Sequence, residues 1–282
     1  MSDKISILEI QRKKDEGNPI TMLTAYDFPG ATLVDEAGVD LILVGDSLAM
    51  TVLGHPNTVS VTVDEMLHHC KAVARGARRA FLVGDMPFMS YQAARSEAIH
   101  NAGRFLKEGN MDAIKLEGGR EIAETIKAIV DAGIPVMGHL GLTPQTATKL
   151  GGYKVQARTA HSARRLREDA LILQEAGCFS LVLEAVPAPV GEAISKKLTI
   201  PTIGIGAGPG CDGQVLVFHD VLGLFDRFVP KFARQYADLR RPILEALRAY
   251  RAEVESGAFP TKEHSFGMSE FDLQGFLDGA QS

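Results

Sequence analysis

Leu41-Ile42-Leu43-Val44-Gly45-Asp46-Ser47-Leu48-Ala49-Met50 is the stretch from which the chain is read. Four branched apolar residues in a row describe a strand buried on both faces, as in a parallel sheet. Gly45 then frees the backbone, and an acid followed by a hydroxyl stands where the strand runs out. The pattern returns at Leu82-Val83-Gly84-Asp85. Two strands that end in Gly-Asp place two carboxylates on one rim of a sheet, and such a pair suits a hard metal ion.

Working outward, the same alternation of short apolar strand and amphipathic helix fills the chain. A helix over 5–16 closes at Gly17-Asn18-Pro19, and a strand follows at 20–25. Asp27 caps a helix to Ala37. Beyond the opening strand, Gly54-His55-Pro56-Asn57-Thr58 forms a long loop, with His55 read as a solvated turn residue. Thr62 and Glu65 make a capping box before the next helix, where His68 and His69 point in different directions. Further strands are expected at 80–83, 112–117, 135–139, 178–184, 201–206 and 215–219. Ser90 is expected to cap a helix over 91–107, and a last helix is expected from Lys231 to about Glu255, with Pro242 as a kink or restart. Residues 257–282 read as a loosely ordered tail. Eight strands without a break in composition predict an α/β fold, a (β/α)8 TIM barrel as one domain over about 18–256. A doubly wound sheet is the competitor, and the missing GxGxxG after the first strand counts against it.

Composition narrows the function. The 282 residues carry a formal charge of -5 and no basic tract, which argues against nucleic acid. The basic run from Arg158 to Arg167 is mixed with Glu168 and Asp169 and reads mainly as the solvated face and start of a helix. Cys70, Cys178 and Cys211 have no CxxC spacing, and an odd count fits a reducing compartment. The polar N-terminus carries no signal peptide and no apolar run approaches ~18 residues, so a cytoplasmic protein free of the membrane is expected.

In a barrel of this kind the active site lies on the C-terminal rim of the strands. The strand ends bring Asp46 with Ser47, Asp85, Lys115 with Glu117, His139, Glu184, and the glycines at 204, 206 and 208. Four unpaired carboxylates on one rim would repel one another. A divalent cation resolves this, and oxygen-only ligands select Mg²⁺ or Mn²⁺ over zinc. Lys115 and Glu117, two apart on a strand, share the barrel interior. His139 reads equally as a rim group or a satisfied core histidine, and the three glycines read as a tight turn before a phosphate nest. Such a rim can hold a 2-oxo acid, stabilise its enolate, and take a proton from the carbon next to the ketone. A Schiff base on Lys115 is the chemical alternative, and a barrel kept only for binding is the non-enzymatic one.

The chain resembles the ketopantoate hydroxymethyltransferase family over roughly 5–266. The resemblance rests on Met22-Leu23-Thr24-Ala25-Tyr26-Asp27, Val44-Gly45-Asp46-Ser47-Leu48, Gly84-Asp85-Met86-Pro87-Phe88, Lys115-Leu116-Glu117-Gly118-Gly119, Gly138-His139-Leu140-Gly141-Leu142-Thr143-Pro144-Gln145 and Ile203-Gly204-Ile205-Gly206-Ala207-Gly208, in that order. Ala49 departs from it, standing where glycine is expected. The Lys-x-Cys-Gly-His phrase of the related lyases and mutases is absent. The resemblance implies a barrel of the phosphoenolpyruvate/pyruvate type. It implies one Mg²⁺ per subunit on Asp46, Asp85 and Glu117, and substrate contacts from Asp46, Ser47, Asp85 and Lys115, with His139 a further candidate. Glu184 is implied as the proton acceptor. The implied reaction moves a hydroxymethyl group from 5,10-methylenetetrahydrofolate to 3-methyl-2-oxobutanoate, the first committed step of pantothenate synthesis, in a cytoplasmic homodecamer. Lys149, Lys154 and Arg158 are loop cations that read first as a solvated loop, and as partners for the acidic glutamyl groups of the folate second.

Overall fold

The computed structural model describes residues 4–225 and 229–279. Helix α1 (Ile7–Asp15) leads into β1 (Ile20–Thr24), α2 (Phe28–Glu36), β2 (Leu41–Val44), α3 (Leu48–Thr51) and α4 (Val63–Gly76). Then come β3 (Phe81–Asp85), α5 (Arg95–Lys107), β4 (Ala113–Glu117), α6 (Ala123–Asp131), β5 (Val136–Gly141), α7 (Ala160–Glu175), β6 (Ser180–Glu184), α8 (Ala188–Lys197) and β7 (Thr202–Ile205). The chain ends with β8 (Gly213–Leu216), α9 (Phe218–Val221), α10 (Arg240–Ser256) and α11 (Glu270–Gly279). The strands pair in parallel, in chain order, and β8 closes on β1 through Ile20 opposite Gly213. This is the expected (β/α)8 barrel.

Period-two alternation divides each strand between two cores. One set, including Leu41, Leu43, Phe81, Val83, Ala113, Met137, Val182 and Ile203, fills the barrel, with Ile5 and Ile10 packing against it from the α1 end. The other set, including Ile42, Val44, Leu82, Ile114, Leu116, Leu181 and Leu183, packs under the helices. The inward series continues upward through the strands. Above Phe81 and Val83 comes Asp85; above Ala113 come Lys115 and Glu117; above Met137 comes His139; above Val182 comes Glu184. The same alternation that fills the barrel thus aims the ionisable groups into its mouth.

Several local expectations are corrected. The helix after Ser90 starts at Arg95, because Ser90 Oγ donates to Pro87 O (2.7 Å) and Tyr91 is drawn into the barrel mouth. No helix joins β7 to β8, so the strict alternation fails there. The eighth strand lies at 213–216 rather than 215–219, set by pairing with β1, and Phe218 is already helical with its N–H on Thr24 Oγ1 (2.9 Å). The last long helix begins at Arg240, not Lys231: Tyr236 N–H and Leu239 N–H bond back to Val221 O and Leu222 O. Pro242 falls in its first turn, where its missing N–H costs nothing, and so marks a restart. None of the residues of α10 is buried. The tail holds a turn at Lys262–His264 and α11, again without buried residues, so it is more regular than the expected loose segment. Asp27 and the Thr62–Glu65 box cap their helices as expected. Cys70 and Cys178 are buried in the core and Cys211 is half-buried.

Candidate active site

Register decides which rim groups meet. Asp85 of β3 stands opposite Lys115 of β4, Glu117 opposite His139 of β5, and Gly141 opposite Glu184 of β6. The result is an arc of alternating charge. Asp46 N–H donates to Asp85 Oδ2 (3.2 Å), and Lys115 Nζ lies 2.9 Å from Asp85 Oδ1 and 3.7 Å from Glu117 Oε1. His139 Nδ1 is 3.2 Å from Glu117 Oε1 and its Nε2 is 3.2 Å from Glu184 Oε2. Asp46, Asp85, Lys115, Glu117 and His139 are each at most 5% exposed. Asp85 Oδ1 and His139 Nε2 are close to a charge but not lined up for a hydrogen bond.

Burial, then the charges of Asp85 and Glu117, push the Asp46 carboxyl well above the usual range. Burial also raises Asp85, against the pull of Lys115. For Glu117 burial is outweighed by His139 and Lys115, which hold it low. Burial and Lys115 press the His139 imidazole down, but Glu117 and Glu184 on either side carry it up to about 9, so the ring is a cation at neutral pH. Burial likewise disfavours the Lys115 ammonium, and Asp85, Glu117 and Asp46 more than offset it. A lysine held protonated in this way has no free lone pair for a Schiff base.

Two residues outside the expected set complete the arc. The turn Pro144–Thr146 after β5 inserts Gln145, whose Nε2 donates to Asp46 Oδ2 (3.0 Å) and Met86 O (2.9 Å). Its backbone N–H donates to Glu117 Oε2 (3.0 Å), and Tyr91 OH reaches its Oε1 (2.7 Å). Tyr91 also accepts from Glu117 N–H (3.1 Å). Gln145 stood in a motif of the chain, but nothing local says that a loop residue will reach a carboxylate 99 positions away. Ser47 leaves its helix end uncapped and instead shares a hydrogen bond with Tyr26 OH (2.8 Å). Burial, partly relieved by Ser47, pushes that phenol up to about 12, so it stays protonated. Of the glycine run, Gly204 lies in β7, and Gly206 and Gly208 form the turn after it: a side chain at Gly208 (φ 82°) would strike Ala188 Cβ at 2.3 Å.

A profile of ketopantoate hydroxymethyltransferase matches residues 4–262. The chain belongs to this family. The 3-methyl-2-oxobutanoate hydroxymethyltransferase of Syntrophobacter fumaroxidans is 58% identical over 274 residues, 97% of each chain. That of Oleidesulfovibrio alaskensis is 61% identical over 251 residues, 89% of this chain and 87% of the relative. In fold the chain is similar to the phosphoenolpyruvate phosphomutase of Streptomyces platensis subsp. rosaceus, with a TM-score of 0.60 at 16% identity over 98% of both chains. This family member is an enzyme, a hydroxymethyltransferase, on a barrel like that of the mutase. No described helix is long and apolar enough to cross a membrane.

The mouth of this hydroxymethyltransferase suits a hard cation. With all groups ionised, four carboxylates face the charges of Lys115 and His139, so negative charge is in excess. The donors nearest the excess are oxygens, and Asp85 Oδ1 has no aligned hydrogen bond. Among the described residues no three acidic, histidine or cysteine side chains stand close enough together to hold a metal ion by themselves. Mg²⁺ suits such oxygen donors, since it keeps several of its waters and carboxylates that do not reach it directly would hold it through them.

Proposed function

We propose that this enzyme converts 3-methyl-2-oxobutanoate to ketopantoate, taking the one-carbon unit from 5,10-methylenetetrahydrofolate with the help of Mg²⁺. The observation that carries the proposal is the convergence of Asp46, Asp85, Lys115, Glu117, His139 and Glu184 at the barrel mouth of a family member. Asp46, Asp85 and Glu117 would hold the ion, and when bound it supplies Lewis acidity toward the oxygens of the 2-oxo acid.

The chain's own groups account for the rest. The Lys115 ammonium, held in place by Asp85 and Glu117, offers positive charge to the substrate oxygens where negative charge develops. Ser47 and Tyr26 share one hydrogen bond, so the pair would offer the substrate carboxylate its one remaining hydroxyl hydrogen, as a neutral donor. Glu184 Oε2 takes the proton from C3 of the oxo acid. Its neighbour His139, charged and 3.2 Å away, keeps that carboxylate turned inward by attraction. The two bonds from the donor's methylene carbon to its nitrogens are replaced in turn by a bond to C3, formed by the C3 electron pair, and by a bond to a water oxygen; the nitrogens take up the proton held by Glu184 and one proton of the water, leaving tetrahydrofolate and the hydroxymethyl product. The two methyls on C3 require an apolar wall beside these polar groups. A cytoplasmic homodecamer belongs to the same proposal, and the uncovered apolar stripe Ile243, Leu247, Tyr250 and Val254 of α10 is surface that an assembly would bury.

Deuterium exchange at C3 in D₂O without folate tests the proton step. Wild type should exchange and Glu184→Gln should lose at least about a hundredfold in rate; a variant that exchanges normally removes Glu184 from the role. Chelator should abolish exchange and Mg²⁺ restore it, whereas exchange indifferent to chelator refutes the metal.

A further inference from the structure

The segment after Gln145 is tied to the site at both ends. It leaves the mouth at Ala147, where Gly152 N–H closes a turn on Ala147 O (2.8 Å), and returns where Gln156 N–H bonds Ala185 O (2.8 Å), next to Glu184. Gly151 and Gly152, at φ 76° and 101°, let it double back between these anchors. What it carries is unlike the mouth below. Tyr153 is 55% exposed, an aromatic face with no packing partner of its own size. Lys149, Lys154 and Arg158 are exposed, and none of them forms an ion pair among the described residues. The next helix, α7, has no acid in its first turn, so its positive end adds to the same sign. Three unpaired cations beside an anionic pocket, in a chain of net charge -5, form a local reversal of sign.

The reversal separates two ligand chemistries. The small oxo acid is accounted for deep in the mouth, by Lys115 and Ser47. What remains is a flat ring with an anionic tail, and the segment offers both complements. We propose that residues 148–158 form the subsite of the folate co-substrate, with Tyr153 stacked on its ring system and Lys149, Lys154 and Arg158 binding the carboxylates of its glutamyl tail. This rests on the proposed function. Stacking on an exposed aromatic tolerates a ring of any hydrogen-bonding pattern, and the cations read the tail by charge alone, so affinity rises with the number of glutamates and falls with salt. The charges of Asp46, Glu184 and Glu117, after burial itself, raise the Tyr153 phenol, which agrees with a ring held over the mouth.

The test compares methylenetetrahydrofolates with one and with five glutamates. The triple variant Lys149→Ala, Lys154→Ala, Arg158→Ala should raise KM for the pentaglutamate by about tenfold and for the monoglutamate by about threefold or less. Tyr153→Ala should raise both by about tenfold. KM for the oxo acid and its folate-independent C3 exchange should stay as in wild type, which a general loss of structure would not allow. A triple variant as sensitive to chain length as wild type, or an equal rise in the oxo-acid KM, overturns the subsite. A wild type that exchanges C3 but transfers no carbon from folate overturns the donor assignment and the subsite together.

Discussion

Gln145→Leu is the most informative single change, because the side chain is nearly isosteric and both polar side-chain atoms of Gln145 have partners. The substitution removes the donor to Asp46 Oδ2 (3.0 Å) and to Met86 O (2.9 Å) and the acceptor for Tyr91 OH (2.7 Å), and keeps the backbone bond to Glu117. Tyr91 is not stranded, since its hydroxyl can turn to Glu117 O at 3.0 Å. A hydrogen bond to a charged acceptor is worth about 1.5–3 kcal/mol, and a buried carbonyl left alone costs about 1–3 kcal/mol. Because Asp46 is held partly toward its neutral form by burial and by Asp85 and Glu117, the low end applies to it. The sum is about 3 kcal/mol, or a fall in Tm of about 6 °C for a chain of this size. Freed of its donor, Asp46 also loses its orientation, and Mg²⁺ affinity measured by calorimetry without substrate should drop about tenfold or more. A Tm within about 1 °C of wild type with unchanged Mg²⁺ binding would refute the claim that Gln145 holds the arc together.

Other changes probe separate parts of the molecule. Lys115→Met removes the cation facing Asp85 and Glu117; the oxo-acid KM should rise at least about tenfold while Mg²⁺ binds more tightly, and weaker Mg²⁺ binding would contradict the charge count. Gly141→Ala forces an alanine to φ 96° with its Cβ 2.2 Å from Glu184 O, costing at least about 2–3 kcal/mol, so thermal stability and turnover should fall together. Asp40, near the start of β2, accepts from Lys13 Nζ (2.6 Å) and from Thr21 N and Oγ1 (2.9 and 2.8 Å). Burial raises its carboxyl, but Lys13 and Thr21 outweigh that and lower it. Its stabilisation is therefore present above the ordinary value near about 4 and is lost as pH falls below it. Denaturant titrations should show Asp40→Asn about 2 kcal/mol less stable at pH 7, with the gap closing below about pH 4; a gap that widens in acid has the wrong sign.

The strands and the residues at their ends were legible because both signals are local. A run such as Leu41–Val44 is apolar on both faces whatever lies next to it, and an acid after Gly45 or Gly84 marks the end of such a run wherever the strand is placed. The inward placement of Lys115 and Glu117 follows from a period of two. Local signals misled where the chain's conformation depends on distant partners. Ser90 has the chemistry of a helix cap, yet Tyr91 is drawn away to Gln145 and Glu117. The apolar stripe of α10 has the spacing of a core helix, yet the helix leaves the barrel, because the stripe says only that some surface will cover it and not which.

From its sequence alone, this protein's barrel class, the strand ends that carry the rim groups and the kinds of group there were determined, since hydrophobic periodicity and backbone propensity act over a few residues. Tertiary structure decided which of those groups touch. Asp85 meets Lys115, and Glu117 meets His139, only because neighbouring strands pair in one register. Gln145 reaches Asp46 only because the barrel closes and brings the β5 turn over the mouth. Contacts of that kind depend on the shape of the whole closed sheet, and no stretch of the chain carries that shape by itself.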